Sequence, residues 1–221
     1  MNMTRILATA AAVALLPIAG SAATLSLVGG TSGGMPTNFG VLKDITGTVG
    51  APADLNPPVT VFDSDDGSGT GLFVSSSSIV RVTLTYVGFE AGNTNTGSSL
   101  AAGASSFSTL TSAQGDKIIF DQVGGAGSLV DLVFSTLANA GGTPCTINNG
   151  ATLGKPCQVG FSDIFAGGHS TYAMFGDGAG DSDLDDIVFR VDVSEVPVPA
   201  AGFLLVGGLG AMAALRRRKK A

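Results

Sequence analysis

Five aspartates, Asp177, Asp181, Asp183, Asp185 and Asp186, fall within ten residues of the stretch that runs from Phe175 to Ile187. Carboxylates crowded this closely repel one another unless water or a cation screens them. Calcium suits the pattern, because it takes six to eight oxygen ligands in flexible geometry and carboxylates at alternate positions of a turn converge on one centre. A solvated turn closed by Asx hydrogen bonds satisfies the same residues. A second acidic turn, Asp63-Ser64-Asp65-Asp66-Gly67-Ser68-Gly69, has similar chemistry: it offers ligands to the same ion or to another, but is expected to be simply a polar turn.

Asp181, Asp183 and Asp185 have the spacing that opens an EF-hand loop. The sixth position is Asp186 where that loop needs Gly, and the twelfth is Asp192 where it needs Glu, so an EF-hand is excluded. Cys145 and Cys157 are the only cysteines and flank a loop containing Gly and Asn. In an exported chain such a pair is expected to form a disulfide. Closing a loop of about 13 residues stabilises a fold by roughly 3 kcal/mol in the chain-entropy model. A Ser-His-Asp hydrolase would have to use His169, the single histidine, and a lone loop His is ordinarily just a polar loop residue. Seventeen acids leave room for a glycosidase pair, but the absence of Trp and the 6% aromatic content argue against a sugar-stacking cleft. No Gly-rich tract leads into the Gly-Lys-Ser or Gly-Lys-Thr of a phosphate-binding loop.

The elements that position these residues are strands. In Val80-Arg81-Val82-Thr83-Leu84-Thr85-Tyr86, the residues Val80, Val82, Leu84 and Tyr86 share one face and polar residues take the other. Ile187–Val193, Lys117–Val123, Leu129–Leu137, Gln158–Phe165 and Thr171–Phe175 are predicted as further strands, with Val59–Phe62 and Leu72–Val74 as shorter ones. Between them lie Gly- and Ser-rich tracts, Ser26–Gly34, Gly67–Gly71, Ser75–Ser78, Gly92–Ser108 and Gly124–Ser128, expected to be exposed loops. No stretch holds a helical period over ten residues. About eight strands at this spacing predict an all-β fold, an antiparallel β-sandwich or jelly roll.

The 221 residues include 33 Gly, and 13% are charged, with a net charge of −6. Five of the eleven cations, Arg216, Arg217, Arg218, Lys219 and Lys220, lie in the last six positions, and Arg5 lies near the start. The middle, residues 24–195, holds five cations against all seventeen acids, a net −12. These roughly 170 residues suffice for one domain with a real core. An acidic body repels nucleic acid and anionic lipid and attracts cations. Residues 1–23 combine Arg5, an apolar run of about 13 residues and a small-residue stretch, as a secretory signal peptide does, with cleavage expected after Ala22 or Ala23. The apolar run falls short of the ~20 residues of a spanning helix. Residues 196–221 combine Val196-Pro197-Val198-Pro199-Ala200, about 16 apolar residues and the terminal cations, which predicts a transmembrane helix with its cations on the cytoplasmic side. Gly207, Gly208 and Gly210 give that helix a small-residue face that another membrane helix can approach.

That tail resembles the PEP-CTERM sorting signals of exported bacterial proteins, in the variant written Val-Pro-Leu-Pro-Ala, with Val198 where Leu is commoner and no Pro-Glu-Pro triplet. The resemblance implies an exosortase-type transpeptidase that cuts near Pro197–Ala200, passage through signal peptidase and the secretion machinery, and delivery from the inner membrane to the cell surface or an exopolysaccharide matrix. Phe175–Ile187 resembles the Gly-Asp-rich turn that opens the last strand of a broad family of exported bacterial β-sandwich domains, and Tyr86–Asn95 resembles another turn of the same proteins. The expected function is that of a non-enzymatic surface or matrix protein stiffened by calcium and associated with exopolysaccharide. The alternative is an exported hydrolase with an unrecognised site.

Overall fold

The computed structural model describes residues 22–55, 57–63, 66–90, 92–103, 105–137, 144–150, 157–178 and 183–197. Most of residues 1–23 and most of the sorting tail, including Val198, Pro199, Ala200 and the cations from Arg216 to Lys220, lie outside them. Among the described residues no helix is long and apolar enough to cross a membrane.

The described chain is all-β. In chain order its strands are β1 (Thr24–Val28), β2 (Thr31–Gly33), β3 (Lys43–Asp44), β4 (Gly47–Thr48), β5 (Val59–Phe62), β6 (Gly71–Ser75), β7 (Ile79–Gly88) and β8 (Asn95–Ser98). They continue as β9 (Ser106–Ser108), β10 (Lys117–Val123), β11 (Ser128–Leu129), β12 (Val133–Thr136), β13 (Cys145–Asn148), β14 (Gln158–Ser162), β15 (Ser170–Gly176) and β16 (Ile187–Glu195). Seven form an antiparallel sheet in the order β10-β7-β16-β15-β14-β5-β2. Two smaller sheets, β13-β12-β8-β9 and β1-β6-β11, contribute to the same core, and β3-β4 is a separate hairpin.

The alternation predicted for β7 is realised: Val80, Val82, Leu84 and Tyr86 are buried, Arg81 is exposed, and Thr83 and Thr85 are half-buried. Those four meet Phe107, Phe134, Phe175, Phe189 and others to give a sandwich-like layer between the large sheet and the smaller ones. Phe134 of β12 stacks on Phe189 of β16 at 5.0 Å and on Phe175 of β15 at 5.5 Å. The opposing backbone comes close here. A Cβ on Gly97 of β8 would lie 2.4 Å from the Phe189 ring, so only Gly fits.

The seven-stranded sheet is covered on its other face too. Tyr172, Met174 and Val188 pack there with Leu42, Leu55 and Leu184, backed by Met35, Phe39 and Val49. Every residue of β15 is therefore buried. Cys145 and Cys157 form the expected disulfide, both buried, with Cα atoms 6.6 Å apart. It ties β13 in a small sheet to the residue that precedes β14 in the large one.

The observed strands outnumber the expected ones. Ser26–Gly34 and Gly92–Ser108, expected as loops, contain β2, β8, β9 and part of β1. Leu129–Leu137 divides into β11 and β12, because Val130 and Leu132 are both buried and the Asn149 side chain bonds the backbone of Leu72 and Val130 in place of a strand.

Two outcomes test this packing. Gly97→Ala is expected to lose about 1–3 kcal/mol by overpacking against Phe189, read from urea midpoints. Alkylation of the denatured protein without reductant should label neither cysteine, and one reducible bond should appear by mass.

Candidate functional site

Strands β15 and β16 form a hairpin in register Phe175↔Ile187, and the Asp-rich stretch is its turn. The turn closes on itself: Asp186 N–H donates to Phe175 O at 3.1 Å, and Asp177 N–H donates to the Asp186 carboxylate at 2.5 Å. Leu184 has φ 62°, a region that side chains rarely enter. Its fully buried side chain explains why. It lies against Gly160 and Gly176, where a Cβ on Gly160 would sit 2.5 Å from its Cδ1. With Leu184 anchored below, its neighbours are drawn under the surface. Asp183 is 4% exposed, Asp185 0%, Asp186 8% and Asp177 1%.

The sequence named this set by residue type, and the structure brings Asp177, Asp183, Asp185 and Asp186 into one turn; Asp181 lies outside the described residues. It differs from a water-exposed turn in that these four are buried. Hydrogen bonds reach them from two other segments. Gly40 N–H donates to the Asp185 carboxylate, and Glu90 N–H donates to Asp185 O at 2.8 Å. Asn93 Nδ2 donates to Asp177 Oδ2 at 2.9 Å, and Asn95 Nδ2 reaches Asp177 Oδ2 and Asp186 O, each at 3.4 Å. Asn95 is wholly buried, and its Oδ1 has no hydrogen-bond partner among the described residues. Asn93 and Asn95 thus meet Asp177 and Asp186 in space. Gly40, Asn93 and Asn95 were missed as site residues. The Asn-Thr-Asn alternation was the one available signal.

Burial pushes the Asp186 carboxyl up to about 8, the Asp177 N–H opposes this, and the charges of Asp177, Asp183 and Asp185 add to the rise. A carboxylate in this position needs a proton or a cation. The carboxylate and backbone-carbonyl oxygens here are of the donor type that suits a hard cation such as calcium, while the Asn93 and Asn95 amides face them through nitrogen. Among the described residues, no three His, Cys, Asp or Glu side chains stand in a ready-made metal cage.

The other candidates fall elsewhere. In the second acidic turn, Asp66 accepts from Asp63 N at 2.9 Å and from Gly30 N at 3.1 Å, which ties this polar turn to the segment between β1 and β2; Asp65 is outside the described residues. Sheet register aligns Phe62, Val159, Phe175 and Ile187, so this turn shares an end of the sheet with the Asp-rich one, two strand spacings or about 10 Å away. His169 sits at the opposite end, where Nδ1 meets the Ala23 carbonyl at 2.6 Å. Gly30-Thr31-Ser32-Gly33-Gly34 matches the Gly-Xaa-Ser-Xaa-Gly string, but Ser32 is exposed on the edge strand β2 rather than on a strand-to-helix elbow.

Asp186 sets a pH dependence. The folded state keeps this proton up to about pH 8 while the unfolded chain releases it near 4, so in chelator the folded protein loses stability as pH rises between those values. Asp186→Asn should flatten that slope, as measured by urea midpoints at pH 5 and pH 8. No protein-family model, curated protein or solved structure matches the chain.

Proposed function

We propose that the chain is an exported, non-enzymatic cell-surface or extracellular-matrix protein, a β-sandwich that carries calcium at its Asp-rich turn. Residues 1–23 direct export. Residues 196–221 hold the chain in the inner membrane until an exosortase-type transpeptidase cuts near Pro197–Ala200 and passes the body toward exopolysaccharide. The reading rests on the residues of both ends and on the net −12 of the body. The single observation that carries its calcium part is the burial of four carboxylates beside Asn93 and Asn95. Asp177, Asp181, Asp183, Asp185 and Asp186 would hold the ion, with an amide oxygen from Asn93 or Asn95. Turning the Asn95 amide over would bring its unpartnered oxygen toward Asp177 and Asp186. Calcium would supply the charge that these carboxylates lack and tie the 86–95 segment to the β15–β16 hairpin.

The placement of the chain ends supports the sorting part. Val196 N–H donates to Ile79 O, and Val193 N–H donates to His169 O, so the C-terminal end leaves β16 close to where Ala23 begins the body. The Asp-rich turn crowns the other end of β16, about 26 Å away at ~3.3 Å per residue. A body held by its tail would present this acidic end outward.

The hydrolase reading has one observation in its favour, a shallow recess lined by Ala22, Ala23, His169, Val193, Ser194 and Glu195. Among the described residues, no hydrogen bond joins His169 to Ser194 or Glu195 there, and its Nδ1 is occupied by the Ala23 carbonyl.

Two measurements test the proposal. Calcium at a hundredfold excess over its Kd should raise the melting temperature by about 5–10 °C relative to chelator. Asp185→Asn should abolish the shift, and an unchanged wild-type melt with no heat of binding would remove calcium. Peptide mass spectrometry of protein from the envelope and medium should find the tail lost after the 196–200 region. An intact tail through Arg218 in the membrane fraction would leave a periplasm-facing membrane protein instead.

A further inference from the structure

Among the described residues, Ala23 is the first whose side chain enters the core. It is 1% exposed, whereas Ala22 before it is exposed. Its carbonyl accepts from His169 Nδ1, and because a carbonyl can only accept, that nitrogen carries the proton. The same loop receives Leu25 N–H on Gly168 O at 2.7 Å and Val193 N–H on His169 O at 2.9 Å. The loop therefore fastens Ala23 and β1 to the end of β16. Glu195 lines the recess beside Ala22, Ala23 and His169. Its Oε1 accepts from Ser76 Oγ at 3.0 Å, and among the described residues no cation pairs with it.

We propose that the leader is cut between Ala22 and Ala23, and that the α-ammonium created on Ala23 is a fixed part of the folded body, seated in this recess as the cation for Glu195. The proposal rests on the export reading above. One water hydrolyses the amide under a leader peptidase, leaving a carboxylate on Ala22 and an ammonium on Ala23 with no change of oxidation state. Small residues at 20–23 fit a peptidase at either neighbouring bond. The fold separates the two. A cut after Ala23 discards the buried methyl and the carbonyl that His169 holds, while a cut before Ala22 leaves a neutral amide at Ala23 and puts the charge on the exposed Ala22 or beyond it.

The test uses the full gene expressed in the producing cell and the exported protein recovered from it. Mass spectrometry of the N-terminal peptide is expected to find Ala23 first. A start at Thr24 or at any other residue downstream of the leader overturns the cleavage assignment and leaves export standing; an intact Met1 overturns both. For the charge pair, the α-amine is labelled with an amine reagent at pH 7 in the wild type and in Glu195→Gln. Pairing that raises the amine pKa by about half a unit slows its labelling about threefold, so Glu195→Gln should label about three times faster. Equal rates in two variants with wild-type circular dichroism would overturn the role of the ammonium.

Discussion

Strand β15 has water on neither face, and the depth of the Asp-rich turn follows from that. Tyr172 and Met174 pack against the layer that contains Leu42 and Leu55, while Ala173 and Phe175 pack against the aromatic layer on the other side. A hairpin clamped between two layers cannot release its turn into solvent unless the layers stop where the strands do. Here they continue: Gly40 closes over Asp185 from one side, and Asn93 and Asn95 close over Asp177 from the other. Leu184 completes the enclosure. Its left-handed backbone costs free energy of order 1–3 kcal/mol, which full burial of a Leu side chain, worth about 1.5–3 kcal/mol, offsets.

That enclosure changes what the carboxylates can be. On a surface, four aspartates would be screened by water and would repel weakly. Under two layers each must accept a donor or surrender its charge, and both happen. Backbone N–H groups of Gly40 and Asp177 take up oxygens of Asp185 and Asp186, and Asp186 still has its carboxyl pushed up to about 8. A proton meets that deficit, and the cation proposed above would compete with it, so pH and calcium would act on the turn through one mechanism.

The sequence revealed the strands whose two faces differ. The residues of β7 and β10 alternate between core and outer face, and Lys117–Val123 and Val59–Phe62 have the expected bounds. It concealed those whose composition is set by a neighbour. Asn95-Thr96-Gly97-Ser98 looks like a loop because Gly97 must yield to Phe189 and Asn95 must serve the turn rather than the core. The candidate site was half visible in the same way. Five aspartates in ten residues announce themselves by type, but their burial depends on Leu184, on the segment before β5 and on the register of β15 with β16, none of which is local.

Strand β16 joins the two ends of the molecule. Ile187 follows Asp186 directly, and Glu195 stands eight residues further along the same strand, beside Ala23 and the exit of the tail. Its pairing with β7 and β15 fixes both ends at once, since Val188 lies opposite Gly88 near the acidic turn and Glu195 opposite Val80 near the recess. A shift of register along β16 would therefore pull Asp186 away from Asp177 and Val193 away from His169 together. Because side chains alternate faces, a one-residue slip would also turn Phe189 and Val191 out of the aromatic layer. The aromatic stack of Phe189 on Phe134 thus helps to hold the carboxylates in place at one end and Ala23 at the other.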